Sequence, residues 1–117
     1  MIRLAAQYGD TWNTGYMDAP ETMAGPFAKI ETACRQVGRD PATIGVTALI
    51  GLWFPELAAE KPVILDDPLT GTVSELAAAM RGYEELGVQH IIFQYSPYTP
   101  EALQRLTEAV QLYRSMA

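Results

Sequence analysis

The side chains best suited to line a binding pocket fall in three short segments: Trp12-Asn13, Trp53-Phe54, and Gln94-Tyr95-Ser96 with Tyr98 close behind. Rings supply broad apolar contact, while amides and hydroxyls supply oriented donors and acceptors, the combination that small-molecule pockets use. A strong general base is missing from these segments. Glu56 and the phenols are the nearest proton-transfer groups, and nothing in their spacing demands that role. His90 is the only histidine, so neither a histidine-based metal cluster nor a Ser-His-Asp triad can be assembled from this chain.

Other reactive groups have plainer accounts. Cys34, the single cysteine, falls on an apolar helical stripe and reads as core. Asp66-Asp67 precede Pro68 as a solvated turn would, and two adjacent carboxylates without further oxygen ligands make no metal site. No metal is expected. Gly71-Thr72 opens a helix whose free N–H groups suit an anion, but without a glycine-rich phosphate motif ordinary capping accounts for it. Asp10 either orients the loop beside it or is solvated at a strand start.

Three helical stripes, each preceded by a strand-like segment, must position these groups. Met23, Phe27, Ile30, Cys34 and Val37 recur every three or four residues until Gly38. Pro20 suits a first turn, and Pro26 within the pattern predicts a kink or a late start. Thr72 and Glu75 have capping-box spacing ahead of Leu76, Met80 and Tyr83, with Gly87 as the end signal. Thr99 and Pro100 open the last helix, where Leu103, Leu106, Val110 and Tyr113 are expected to be buried. Strands are predicted at Asp10 to Asn13, Ile44 to Ile50 and His90 to Gln94, the last continuously apolar at its centre, as a parallel strand covered on both faces would be. Ile2 to Tyr8 reads as the last turns of a helix, with Leu4, Ala5 and Tyr8 toward a core. Strand followed by helix, three times, implies an α/β fold of parallel neighbours joined by right-handed crossovers. The segment from Trp53 to Leu69, with Pro55, Pro62 and Pro68, is a long loop at the C-terminal end of the second strand, where barrels carry function.

Composition sets the outer bounds. The 117 residues make one domain, about half the roughly 250 residues of an ordinary β/α barrel. A net charge of −6 without a basic cluster repels a phosphate backbone, so nucleic acid is not an expected partner. No stretch has the length of a membrane span, and one cysteine forms no internal disulfide, so a cytoplasmic, reducing location is expected.

The segments Arg3-Leu-Ala-Ala-Gln-Tyr8, Gly9-Asp-Thr-Trp-Asn13, Gly38-Arg-Asp-Pro41 and Glu85-Leu-Gly-Val88 together resemble the closing third of the luciferase-like monooxygenases. That family comprises flavin- or deazaflavin-dependent enzymes on an eightfold β/α barrel. The resemblance implies that residues 1–117 form a partial domain of three sequential βα units, beginning inside a unit and lacking the other five. It implies FMN or a deazaflavin as the family's cofactor, with Trp12 and Asn13 matching the Asp-Gly-Trp-Asn element that lines its pocket. Packing is the rival account of Trp12. Gly9 and Thr11 stand where the family commonly has Ala and Gly. Trp53, Gln94, Tyr95 and Tyr98 are the expected substrate-side residues, no catalytic residue is assigned, and no firm cofactor binding or turnover is expected of the isolated chain. Strands without their barrel neighbours predict completion by self-association, a homodimer in the simplest case. A self-associating interaction protein and a small-molecule binding module are the alternative functions.

Overall fold

The computed structural model describes residues 2–17, 24–62 and 68–116. Helix α1 (Ile2–Tyr8) leads into strand β1 (Thr11–Met17), followed by α2 (Ala24–Gln36), a 3-10 turn (Pro41–Thr43), β2 (Gly45–Trp53), α3 (Val73–Glu85), β3 (Val88–Ser96) and α4 (Pro100–Ser115). The strands form one open parallel sheet in the order β1-β2-β3, the arrangement of part of a β/α barrel.

Local chemistry explains the helix limits. The second helix is described from Ala24, and Pro26 sits in the first described turn, a position that tolerates proline when it opens a helix. The residues before Ala24, Pro20 and Met23 among them, lie outside the described residues. Gly38, at φ 75°, ends the helix: its N–H donates to the Arg35 carbonyl, and that of Arg39 to Cys34 at 2.8 Å. In α3 the capping box is complete, with Glu75 N–H on Thr72 Oγ1 at 3.2 Å and Thr72 N–H on Glu75 Oε1 at 3.3 Å. Thr99 caps α4 by accepting from Ala102 N–H.

Two helical faces differ from expectation. In α4 the buried residues are Ala102, Leu106 and Ala109, with Leu103 49% exposed, because the small alanines face the sheet and α3 and allow close approach. In α1 the packed residues are Ile2 and Ala6, while Leu4 and Tyr8 are exposed, since the helix lies against α2. Seven residues hold too few turns for periodicity to select a face.

The strands are longer than predicted because hydrogen bonding continues through Gly51 and into the polar end of β3. Trp53, expected in the loop, is the last residue of β2. Leu69 returns as a parallel bridge to Leu52, with Leu69 N–H on the Gly51 carbonyl at 2.7 Å and Trp53 N–H on the Leu69 carbonyl at 3.0 Å. This closes the loop; Asp66 and Asp67 within it lie outside the described residues.

The core lies on one side of the sheet. Val46, Ala48, Ile50 and Leu52 of β2 are buried there, with Ile30 and Cys34 of α2 and with Leu76, Met80 and Tyr83 of α3. Ile91 and Phe93 of β3 join them, whereas Ile92 is 43% exposed on the other side. Among the described residues, then, β3 is covered on one face, not on both.

The Arg39 guanidinium brackets the N-terminal end of this sheet. Nη1 donates to the carbonyls of Ala6 (3.1 Å) and Gly9 (2.5 Å), Nε to Thr43 Oγ1 (2.9 Å) and Nη2 to the Thr43 carbonyl (3.0 Å). It thereby ties the end of α1 to the turn that starts β2, while Gly45 N–H bonds the Asp10 carbonyl at the first rung between strands. Arg39→Ala should lower stability by about 2–3 kcal/mol, read from urea midpoints. Arg39→Lys should recover little, because a single ammonium cannot replace a planar fork. Full recovery by lysine would show that charge alone matters here.

Candidate functional site

Side chains of a strand alternate between faces, so the covered positions of β2 identify the others. Val46, Ala48, Ile50 and Leu52 face the helices; Thr47, Leu49, Gly51 and Trp53 face the open side. Register then builds rows across that open face: Asn13, Thr47 and His90 in the first, Leu49 and Ile92 in the second, Gly51 and Gln94 in the third, Trp53 and Ser96 in the last. The third and fourth rows lie at the C-terminal ends of the strands, where parallel sheets place their ligands.

The residues singled out from sequence are divided by this alternation. Asn13, Trp53 and Gln94 share the open face. Trp12 does not: it is in register with Val46 and packs against the core cluster on the helix side. Tyr95 likewise packs against the Leu52–Leu106 cluster, and its ring meets that of Tyr98 edge-on, with centroids 5.1 Å apart and planes at 87°. Tyr98 itself is 74% exposed beyond the strand. Sequence reasoning expects the barrel-facing residues of Ile44 to Ile50 and Ile91 to Phe93 to lie open without saying which they are; the register makes them Thr47, Leu49 and Ile92. The alternation of the two residue sets in β2 carries that signal, but it needs the knowledge of which set meets the helices.

Several polar groups on and near this face are already engaged. Thr47 Oγ1 donates to Asn13 Oδ1 at 2.6 Å. The Trp53 indole N–H donates to the Ala58 carbonyl at 2.8 Å, which pins the ring to the loop. Glu56 is ion-paired with Arg105 of α4. Glu75 occupies the N-terminus of α3, and Thr99, Pro100 and Glu101 occupy that of α4, so neither helix offers a site for a phosphate tail. Among the described residues, no cluster of three or more His, Cys, Asp and Glu could hold a metal ion, and no helix is long and apolar enough to cross a membrane. Among the described residues, the open face offers ring contact and hydrogen bonds without a proton-transfer pair.

A separate groove of about 300 Å³ runs between α3, α4 and β3. It is lined by Met80, Phe93 and Val110, with Glu84 and Tyr113 at its edge. Tyr113 Oη donates to Glu84 Oε2 at 2.5 Å. That hydrogen bond, then burial, then the carboxylate's charge raise the phenol above its ordinary value.

By sequence the chain matches no protein-family model and no curated protein. Among solved structures it is similar to an F420-dependent secondary alcohol dehydrogenase in complex with an F420-acetone adduct, with a TM-score of 0.66 and 18% identity. The superposition covers 97% of this chain and 46% of that one, so the chain spans about half the length of that structure. At this identity the likeness establishes the fold alone.

The Tyr113–Glu84 bond gives a pH-dependent expectation. A phenol whose folded value is raised contributes stability below the ordinary tyrosine value of 10.0, and that contribution is lost as pH rises through the folded value. The stability difference between wild type and Tyr113→Phe should therefore hold steady from about pH 7 to 9 and shrink above about pH 10, measured by chemical denaturation. A difference that widens above pH 10 would contradict this placement of the proton.

Proposed function

We propose that this chain is the C-terminal part of a luciferase-like, deazaflavin- or flavin-dependent oxidoreductase, and that it supplies one wall of the cofactor and substrate pocket. The observation that carries this reading is the gathering of Trp53, Gln94 and Ser96 at the C-terminal ends of parallel strands, on the side that a closed barrel turns inward. The likeness over 97% of the chain to an F420-dependent alcohol dehydrogenase supports a deazaflavin over FMN. A buried, unpaired Cys34 suits a reducing, cytoplasmic setting.

On this reading, bound deazaflavin would supply the hydride chemistry. The indole face of Trp53, anchored through Ala58, would give an apolar wall, and the Gln94 amide would orient a polar edge. Asn13 and Thr47 would hold each other in place below. Neither proton transfer to an alkoxide nor capture of a cofactor phosphate is assigned to residues described here. Those tasks fall to barrel units beyond these three, so the chain alone has no turnover.

The test is titration of the 117-residue chain with F420 and with FMN, followed by absorbance, together with an assay of F420 reduction by a secondary alcohol. Weak or no binding and no reduction are expected. Turnover by the isolated chain, abolished in Gln94→Ala, would overturn the assignment of its chemistry to other units.

A further inference from the structure

The turn that follows β2 joins the helix layer to the open face of the sheet. Phe54, whose ring is buried, donates its N–H to the Ser96 carbonyl at 3.0 Å, and its own carbonyl accepts from Leu57 N–H (3.0 Å) and Ala58 N–H (3.1 Å). The chain from Phe54 to Ala58 is thereby folded into one closed turn. Phe54 and Leu57 pack on the helix side, in the cluster that holds Met80 of α3 and Leu106 of α4. At the end of the same turn, the Ala58 carbonyl accepts from the indole N–H of Trp53, whose ring lies on the other side of the sheet.

Pro55 and Glu56 form the exposed crest of this turn. Proline has no N–H to fasten it, and the apolar anchors at Phe54 and Leu57 set how deep the turn sits without setting its direction, because hydrophobic contact is non-directional. Direction comes from Glu56. Its Oε1 accepts from Nη1 of Arg105, in the second turn of α4 beside the buried Leu106, and a charge-assisted hydrogen bond does have a direction. Three links therefore run from α4 to the indole: the ion pair, the closed turn, and the bond from the ring to Ala58.

We propose that Arg105 is a positioning residue for Trp53: through Glu56 it holds the Phe54–Ala58 turn, whose last carbonyl fixes the indole at the C-terminal end of the sheet. A ring that serves as a pocket wall must keep one orientation, and a supporting layer of contacts behind it provides that. The purpose of the linkage rests on the reading of Trp53 as a pocket wall. The linkage itself exists in the chain without a ligand and is measured there, so failure of the one is told apart from failure of the other.

Hydrogen exchange of the two indole N–H groups, followed by NMR with Trp12→Phe assigning the Trp53 signal, reads the bond to Ala58 directly. Arg105→Ala should speed exchange at the Trp53 indole about two- to fivefold, the range open to an exposed ion pair. Glu56→Gln should do the same, and the double variant should add nothing beyond either single one. Arg105→Lys should restore the slow rate, because a contact made by one nitrogen is within reach of an ammonium. Arg39→Ala, at the opposite end of the sheet, separates positioning from general stability: it should speed the β2 amides that exchange through global unfolding and leave the Trp53 indole unchanged. An unchanged Trp53 rate in Arg105→Ala overturns the proposal. So does a lysine variant that exchanges as fast as the alanine one, or equal acceleration of the indole by Arg39→Ala.

Discussion

The covered side of β2 is the constraint from which the other features follow. Val46, Ala48, Ile50 and Leu52 are all buried, and α2, α3 and α4 contribute their apolar stripes to that same side of the sheet. Burial of each of the three larger side chains contributes roughly 1.5–3 kcal/mol, and a one-residue slip would carry all four to the opposite face. Register is therefore strongly specified. The Arg39 bracket and the Gly45–Asp10 rung set its starting point, and Leu69 closes its far end through Gly51 and Trp53.

That same parity divides the candidate site. Asn13, Trp53 and Gln94 reach the open face because they share a register class with Thr47, whereas Trp12 and Tyr95 belong to the other class and pack against the core. A tryptophan next to an asparagine at a strand end looks like one functional unit in sequence. In a strand, neighbours are on opposite sides, and a pocket-facing role fits only one of them. The fold thus sets alternate residues on the open face, with Thr47 bonded to Asn13 and the Trp53 indole bonded to the loop.

The sequence made some of this legible and hid the rest for physical reasons. The α3 helix was readable to its ends because its capping box and Gly87 are local signals. The parallel order followed from strand-helix repetition. Strand lengths were underestimated, since Gly51, Gln94 and Ser96 carry little β propensity and gain their hydrogen bonds from neighbours far along the chain. The buried face of α4 was misjudged because Ala102 and Ala109 are small: periodicity weights Leu103 above them, but close approach to α3 selects the alanines. Which parity of β2 meets the helices is a tertiary fact, and without it Trp12 and Trp53 are indistinguishable.

Residue-resolved amide hydrogen exchange tests the central claim, a parallel sheet whose middle strand is buried between its neighbours. The amides of Ala48 to Leu52 should be the most protected in the chain and exchange only on global unfolding. Those of the flanking strands, each with one neighbour, should exchange at least about tenfold faster. Equal or greater protection in β1 than in β2 would contradict the strand order on which the account rests.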